Sequence, residues 1–309
     1  MNSKKVRAIH FSGGKSGQYT GVQLEFFEKN NRWALTSLFS TDDIGARHRE
    51  DSLIDWMKEN PADFTVVNVN DSHPICETCT LTCPGEKSCP QEEVVDIRNK
   101  ISEILQSDLE HEKKSPKEYE RKREGQDSFP NNREIFFKDQ LSIPLDKPFK
   151  RKLKNGYAPY WNRPIDFFVW SHFYTPLMKL FNYSFDSYGR SSLMLNYKFT
   201  YLKKRLGPSE QFLESNIYVA LVQLLKSKKI SKKTLDGLRF DDEEFIDNKM
   251  KLIQELEKNL DIFIYEIDED LLLTVPRAIM ALLLGISGIS KSLSKNLETL
   301  DPSYIIPSF

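Results

Sequence analysis

The sequence predicts an α/β fold, and three observations carry that prediction. The N-terminal part holds three β-compatible segments joined by tight turn signals, the pattern of an antiparallel meander. Phe64-Thr-Val-Val-Asn-Val69 is a nearly continuous apolar run, as a buried central strand presents. Beyond it, segments of helical periodicity dominate, with one short strand candidate among them.

Lys5 to Ser12 opens the chain as a strand through Val6, Ala8, Ile9 and Phe11, and Gly13-Gly14 ends it in turn chemistry. Val22, Leu24 and Phe26 alternate with Gln23 and Glu25 as a second strand. After the turn signal Asn30-Asn31, Arg32 to Ser40 gives a third around Trp33, Leu35 and Leu38. Asp51 to Asn60 places Leu53, Ile54 and Met57 on one helix face, and Pro61 stops it. Glu92 to Asp108 repeats Val94, Ile97, Ile101, Ile104 and Leu105 in helical register. Glu110 to Glu124 is dense in both charges and reads as a solvated helix or mobile segment. Pro130, Pro144, Pro148 and Pro159 punctuate an irregular connection, so residues 109–160 form a charged, irregular insertion. Within it, residues 147–154 are the most basic patch, which suits phosphate but more commonly marks a solvated loop. A long aromatic helix follows Arg163-Pro164 to about Phe181, and a second runs from Leu193 to Leu206. Gln211 to Ile217 is the short strand candidate and carries Glu214. Helices follow over 218–229 and 243–260, and Val275 to Ile286 is apolar nearly all round and should be buried. No repeat or linker divides the chain, so residues 1–309 are expected to be one domain with insertions.

Lys and Arg total 44 against 45 Asp and Glu, a balance that argues against a strongly electrostatic nucleic-acid binder while leaving local patches and protein partners open. No apolar run reaches the length of a membrane span, and Met1-Asn-Ser-Lys-Lys lacks the apolar core of a signal sequence. A cytoplasmic location is expected.

All four cysteines lie between Cys76 and Cys89, with Cys79 and Cys83 between them, in a loop spanning about residues 76–90. Four thiolates on a short Gly/Pro-containing loop can close a tetrahedral site on one zinc ion, and the opening Cys-x-x-Cys is the usual first half of such a site. An iron–sulfur cluster takes the same four ligands, and two disulfides or free thiols are the plainer alternatives. A closed four-thiolate site leaves no position for substrate, so the loop reads as a staple.

Three antiparallel strands, then helix, strand, helices, strand and helix, is the element order of the RNase H-like fold. Ala8-Ile-His10-Phe-Ser-Gly-Gly, the cysteine block after Pro74, Ala158-Pro-Tyr-x-x-Arg163-Pro-Ile-Asp166, Ser187-Tyr-Gly-Arg190-Ser and Tyr201-Leu-Lys-Lys-Arg-Leu206 resemble blocks of a predicted RNase H-like nuclease family, domain of unknown function 429. The resemblance implies phosphodiester hydrolysis by three or four carboxylates converging on one or two magnesium ions. At the expected positions this chain has His10 on the first strand, Asn70 with Asp71 beside it, Glu214, and Val275-Pro276-Arg277. Three of the four carboxylates are replaced, and a neutral imidazole is a poor magnesium ligand.

The resulting expectation is a degenerate nuclease-family protein, a pseudoenzyme with a binding or interaction role, in which magnesium or manganese in the cleft is doubtful. The alternative is an active metal-dependent nuclease or phosphoesterase using Glu214, Asp71, His10 and Asp166 as catalytic residues. Against these roles stand a packed His10 and a solvated Glu214. Arg163, Arg190 and Lys15 are the candidate substrate-binding residues: Arg163 can pair with Asp166 or line the cleft, and Arg190 suits a phosphate or carboxylate. A further alternative rests on Ser12-Gly13-Gly14-Lys15-Ser16, which resembles the phosphate loop of ATP pyrophosphatases. That reading requires a helix over residues 18–29.

Overall fold

The computed structural model describes residues 5–13, 17–127, 141, 144–155, 157–160, 162–183, 193–236, 238, 246–264, 269–275, 277–290 and 301–309. In chain order the elements are β1 (Lys5–Phe11), β2 (Tyr19–Phe27), β3 (Arg32–Ser40), α1 (Arg49–Glu59), β4 (Phe64–Val67), α2 (Ile75–Thr78), a 3-10 turn (Glu86–Ser88), α3 (Glu92–Lys114) and α4 (Pro116–Asp127). They continue with α5 (Lys147–Asn155), α6 (Pro164–Phe181), α7 (Leu193–Leu206), β5 (Phe212–Ser215), α8 (Ile217–Lys226), α9 (Lys232–Asp236), α10 (Ile246–Leu260), β6 (Ile262–Phe263), α11 (Glu269–Thr274), α12 (Ala278–Ile289) and β7 (Tyr304–Ile305). The fold is α/β, and the chain divides into two compact units: Met1–Asp71 with Ser191–Phe309, and Ser72–Arg190.

The first unit is built on a mixed seven-stranded sheet in the order β6-β3-β2-β1-β4-β5-β7. The meander is antiparallel, and β4, β5 and β7 each run parallel to their inner neighbour. Asn31, at φ 50°, makes the β2–β3 turn, a backbone that asparagine tolerates. Strand alternation gives the sheet two apolar faces. Ile9, Phe11, Val67 and Phe212 pack in one cluster with Leu53, Ile54 and Met57 of α1 and Phe199 and Leu202 of α7. Val6, Ala8 and Val66 face the other way, under α12. α12 settles close because Gly288 has no side chain: a Cβ there would lie 2.7 Å from Val6 Cγ1 and 2.8 Å from Val66 Cγ2. β4 stops at Val67, short of the expected Val69, because the Asn68 amide takes over the ladder. It accepts from Phe11 N at 2.7 Å and donates to Phe11 O at 3.0 Å.

The second unit is helical among its described residues. The basic patch expected in an irregular connection is instead α5, which buries Phe149 and Leu153 one turn apart. Phe149 lies 4.7 Å from Trp170 and from Tyr174 of α6, ring centroid to centroid. The charged segment from Glu110 is also helical, completing α3 and forming α4. It is anchored through Asp108, which is 3% exposed and accepts from Tyr119 Oη at 2.8 Å, Leu145 N at 2.9 Å and Lys150 Nζ at 2.6 Å.

Candidate functional site

In the first unit, α12 packs along β1, β2 and β4, with its N-terminus toward the C-terminal end of β1. The register aligns Ile9 with Val67, and Val67 with Glu214. Glu214 therefore shares the sheet face of Ile9 and Val67, whereas His10, next along β1, points to the face that α12 covers. The sheet separates the two residues that sequence reasoning places in one site.

His10 is 6% exposed, and its Nδ1 is buried without a hydrogen-bond partner. Burial, reinforced by the nearby Arg277 charge, holds its pKa down at about 3. The imidazole is therefore neutral at physiological pH. Arg277 sits at the N-cap of α12 with φ 65°, and no side chain caps the helix. Its Nη1 donates to Gln18 Oε1 at 3.0 Å and lies 3.6 Å from Asp42 Oδ1. Gln18 is held in turn by Ser12: Gln18 N donates to Ser12 Oγ at 3.1 Å, and Ser12 N donates to Gln18 O at 3.0 Å. This clasp closes the base of the Gly13 loop, in which Lys15 lies outside the described residues. The chain beyond it is β2, so the helix that an ATP-pyrophosphatase loop requires over residues 18–29 is a strand.

Asp71 and Glu214 do come together. Glu214 is 5% exposed, and its Oε2 accepts from Asp71 N at 3.2 Å. The Asp71 carboxylate is paired with Lys203 of α7. One acidic side chain of this pair is thus compensated by a lysine. Among the described residues no group of three or more His, Cys, Asp or Glu side chains is arranged to hold a metal ion.

Asp166 and Arg163 belong to the second unit and pair with each other. Arg163 Nε donates to Asp166 Oδ2 at 2.9 Å, Nη2 to Oδ1 at 2.7 Å, and Nη1 to Ser72 Oγ at 3.0 Å. Both residues are buried, and Asp166 also accepts from Arg163 N at the start of α6. They form a structural fork. Arg190 lies outside the described residues.

The four cysteines carry free thiols. The Cys76 thiol is pushed up by burial and by Cys89, Cys79 and Cys83. Gln91 Nε2 donates to Cys79 Sγ at 3.3 Å, and Arg98 Nη1 of α3 donates to the carbonyls of Glu86 at 2.9 Å and Lys87 at 2.6 Å. The loop is therefore tethered to α3, and among the described residues its four thiols are not arranged as a metal site.

Sequence reasoning noted Arg277, and Lys203 within the Tyr201–Leu206 block, but missed Gln18 and Asp42. These come from separate segments, and no local pattern marks them. Comparison with family models, with curated proteins and with solved structures finds no match for this chain.

Proposed function

We propose that the protein is a divergent RNase H-like chain whose cleft binds rather than hydrolyses. Within the sheet, the order β3-β2-β1-β4-β5, with an antiparallel meander followed by parallel strands, supports the RNase H-like reading. The observation that carries the binding role is the His10–Arg277 pair. Where the family needs a carboxylate on β1 and another at the final helix, this chain has a neutral imidazole and a guanidinium. Magnesium requires hard oxygen ligands at near-octahedral geometry, and a fixed positive charge opposes it. Asp71 and Glu214 alone, one already paired with Lys203, are too few to clamp both the attacking and the leaving oxygen.

Cys76, Cys79, Cys83 and Cys89 would hold a structural zinc ion, with an iron–sulfur cluster as the competing occupant. Four cysteines within fourteen residues, on a loop gripped by α3, support this. Zinc there would supply folding free energy and no open coordination position for chemistry. Among the described residues no helix is long and apolar enough to cross a membrane.

The test is a nuclease assay on single- and double-stranded DNA and RNA with magnesium or manganese. No turnover above background is expected. Robust cleavage that disappears in Glu214→Gln would overturn the proposal.

A further inference from the structure

The N-terminus of α12 lies at the C-terminal end of β1. α12 runs opposite to β1. Gly288 lies over Val6, about 15 Å of helix separates Gly288 from Ala278 at ~1.5 Å per residue, and about 13 Å of strand separates Val6 from His10 at ~3.3 Å per residue. The first turn of α12 therefore ends beside His10. The helix start carries partial positive charge and has no side-chain cap. The Arg277 guanidinium, which faces Asp42 at 3.6 Å, adds its charge at the same point. Arg277 holds φ 65°, a conformation rare for a long side chain, which persists only where the surroundings fix it. Beneath, His10 offers a buried Nδ1 with no partner in the protein. A buried polar atom without a partner is unfavourable, and a ligand oxygen there removes the penalty.

From this geometry we infer that His10, Arg277 and the first turn of α12 bind a phosphate group, either inorganic phosphate or the terminal phosphate of a nucleotide. A tetrahedral oxyanion presents oxygens in several directions, matching a guanidinium fork, the His10 imidazole as its Nδ1–H tautomer, and main-chain N–H groups of the first turn of α12 beyond Ala278, whose own N–H donates to Val275 O at 3.2 Å. A cation is disfavoured by Arg277, so the inference rests on the reading that the cleft holds no metal pair. Asp42, 3.6 Å from Arg277, is the carboxylate with which an incoming phosphate competes. Asp42 also accepts from Ser40 Oγ at 2.7 Å, an interaction that asparagine can retain.

The experiment is a titration of histidine-labelled protein with inorganic phosphate at constant ionic strength, following the His10 ring nitrogens by NMR. A saturable shift of Nδ1 is expected, with a Kd below about 1 mM. Arg277→Gln should weaken binding by about tenfold or more, while Asp42→Asn should tighten it several-fold. Tighter binding cannot arise from a misfolded variant. An unmoved His10 resonance up to about 10 mM phosphate, or an equal response in Arg277→Gln, overturns the inference. A nucleoside 5′-monophosphate and a dinucleotide holding a single phosphodiester are titrated in parallel. A response to inorganic phosphate or the monophosphate supports a terminal-phosphate site and identifies the source, and a response to the dinucleotide alone overturns it. A magnesium titration separates the two readings. If magnesium moves His10 and supports cleavage, the binding-only function fails. If neither magnesium nor phosphate acts, only the phosphate site fails.

Discussion

Burying an unpartnered histidine makes stability depend on pH in a calculable way. The His10 pKa is about 3 in the folded protein against an ordinary 6.5. A folded-state pKa lowered in this way means the unfolded chain takes up the proton first as pH falls. Stability is therefore unaffected above pH 6.5, declines between about 6.5 and 3, and levels off below both values. At about pH 5 the unfolded imidazole is almost fully protonated and the folded one is not. The difference is about 1.5 pH units at 1.36 kcal/mol per unit, or about 2 kcal/mol lost relative to neutral pH. The assay is urea denaturation of the native protein and His10→Gln at about pH 7.5 and pH 5. The other titrating groups are common to both proteins and cancel in the difference between the two pH dependences. The native protein should lose about 2 kcal/mol more than the variant on acidification. Identical pH dependences, or an NMR titration of His10 with a midpoint near 6.5, would refute the claim that this ring is desolvated beside Arg277.

The two glycines of α12 should respond differently to alanine. At Gly288 the new Cβ meets Val6 Cγ1 and Val66 Cγ2 at 2.7 and 2.8 Å, both on stiff β-branched side chains of the sheet, so Gly288→Ala should lose about 1–3 kcal/mol. At Gly285 the nearest atom, at 2.8 Å, is Leu24 Cδ1, the far end of a flexible chain, and the gain of about 1 kcal/mol in helix propensity offsets the crowding. Equal effects in urea denaturation would contradict this packing. Arg7, buried on β1, donates Nε to Thr65 Oγ1 at 3.0 Å and Nη1 to the carbonyls of Met57 at 2.8 Å and Asn60 at 2.7 Å, and pairs with Glu210. Arg7→Lys cannot reproduce that fork and should destabilise by about 3 kcal/mol, and a loss under about 1 kcal/mol by the same method would mean that these bonds contribute little. Elemental analysis should find about one zinc per chain. Its removal by a chelator should lower the melting temperature, as should Cys76→Ser. A metal-free protein with reduced thiols and an unchanged melting temperature would exclude the staple, and iron with visible absorbance would identify a cluster instead.

The sequence by itself determined the elements whose signal is local. Alternation in Val22, Leu24 and Phe26, the apolar run after Phe64 and the three-to-four-residue spacing of Leu53, Ile54 and Met57 each specify a periodicity that neighbouring residues carry together. The β3 and α7 boundaries coincide with the expected segments Arg32 to Ser40 and Leu193 to Leu206. Strands of two residues, β6 and β7, gave no such pattern, because pairing with a neighbour rather than their own composition makes them strands. α5 was hidden for a related reason: its basic residues dominate the composition, while only Phe149 and Leu153 are buried.

Tertiary structure alone decided the candidate site. Which sheet face His10 and Glu214 occupy is a matter of register, and a slip of β1 by one residue would turn His10 to the face that carries Glu214. The meeting of His10 with Arg277 depends on how far α12 slides along β1, which Gly288 fixes by close approach to Val6 and Val66. Such juxtapositions join residues far apart in the chain. Short-range periodicity cannot encode them, because they arise from the packing of whole elements.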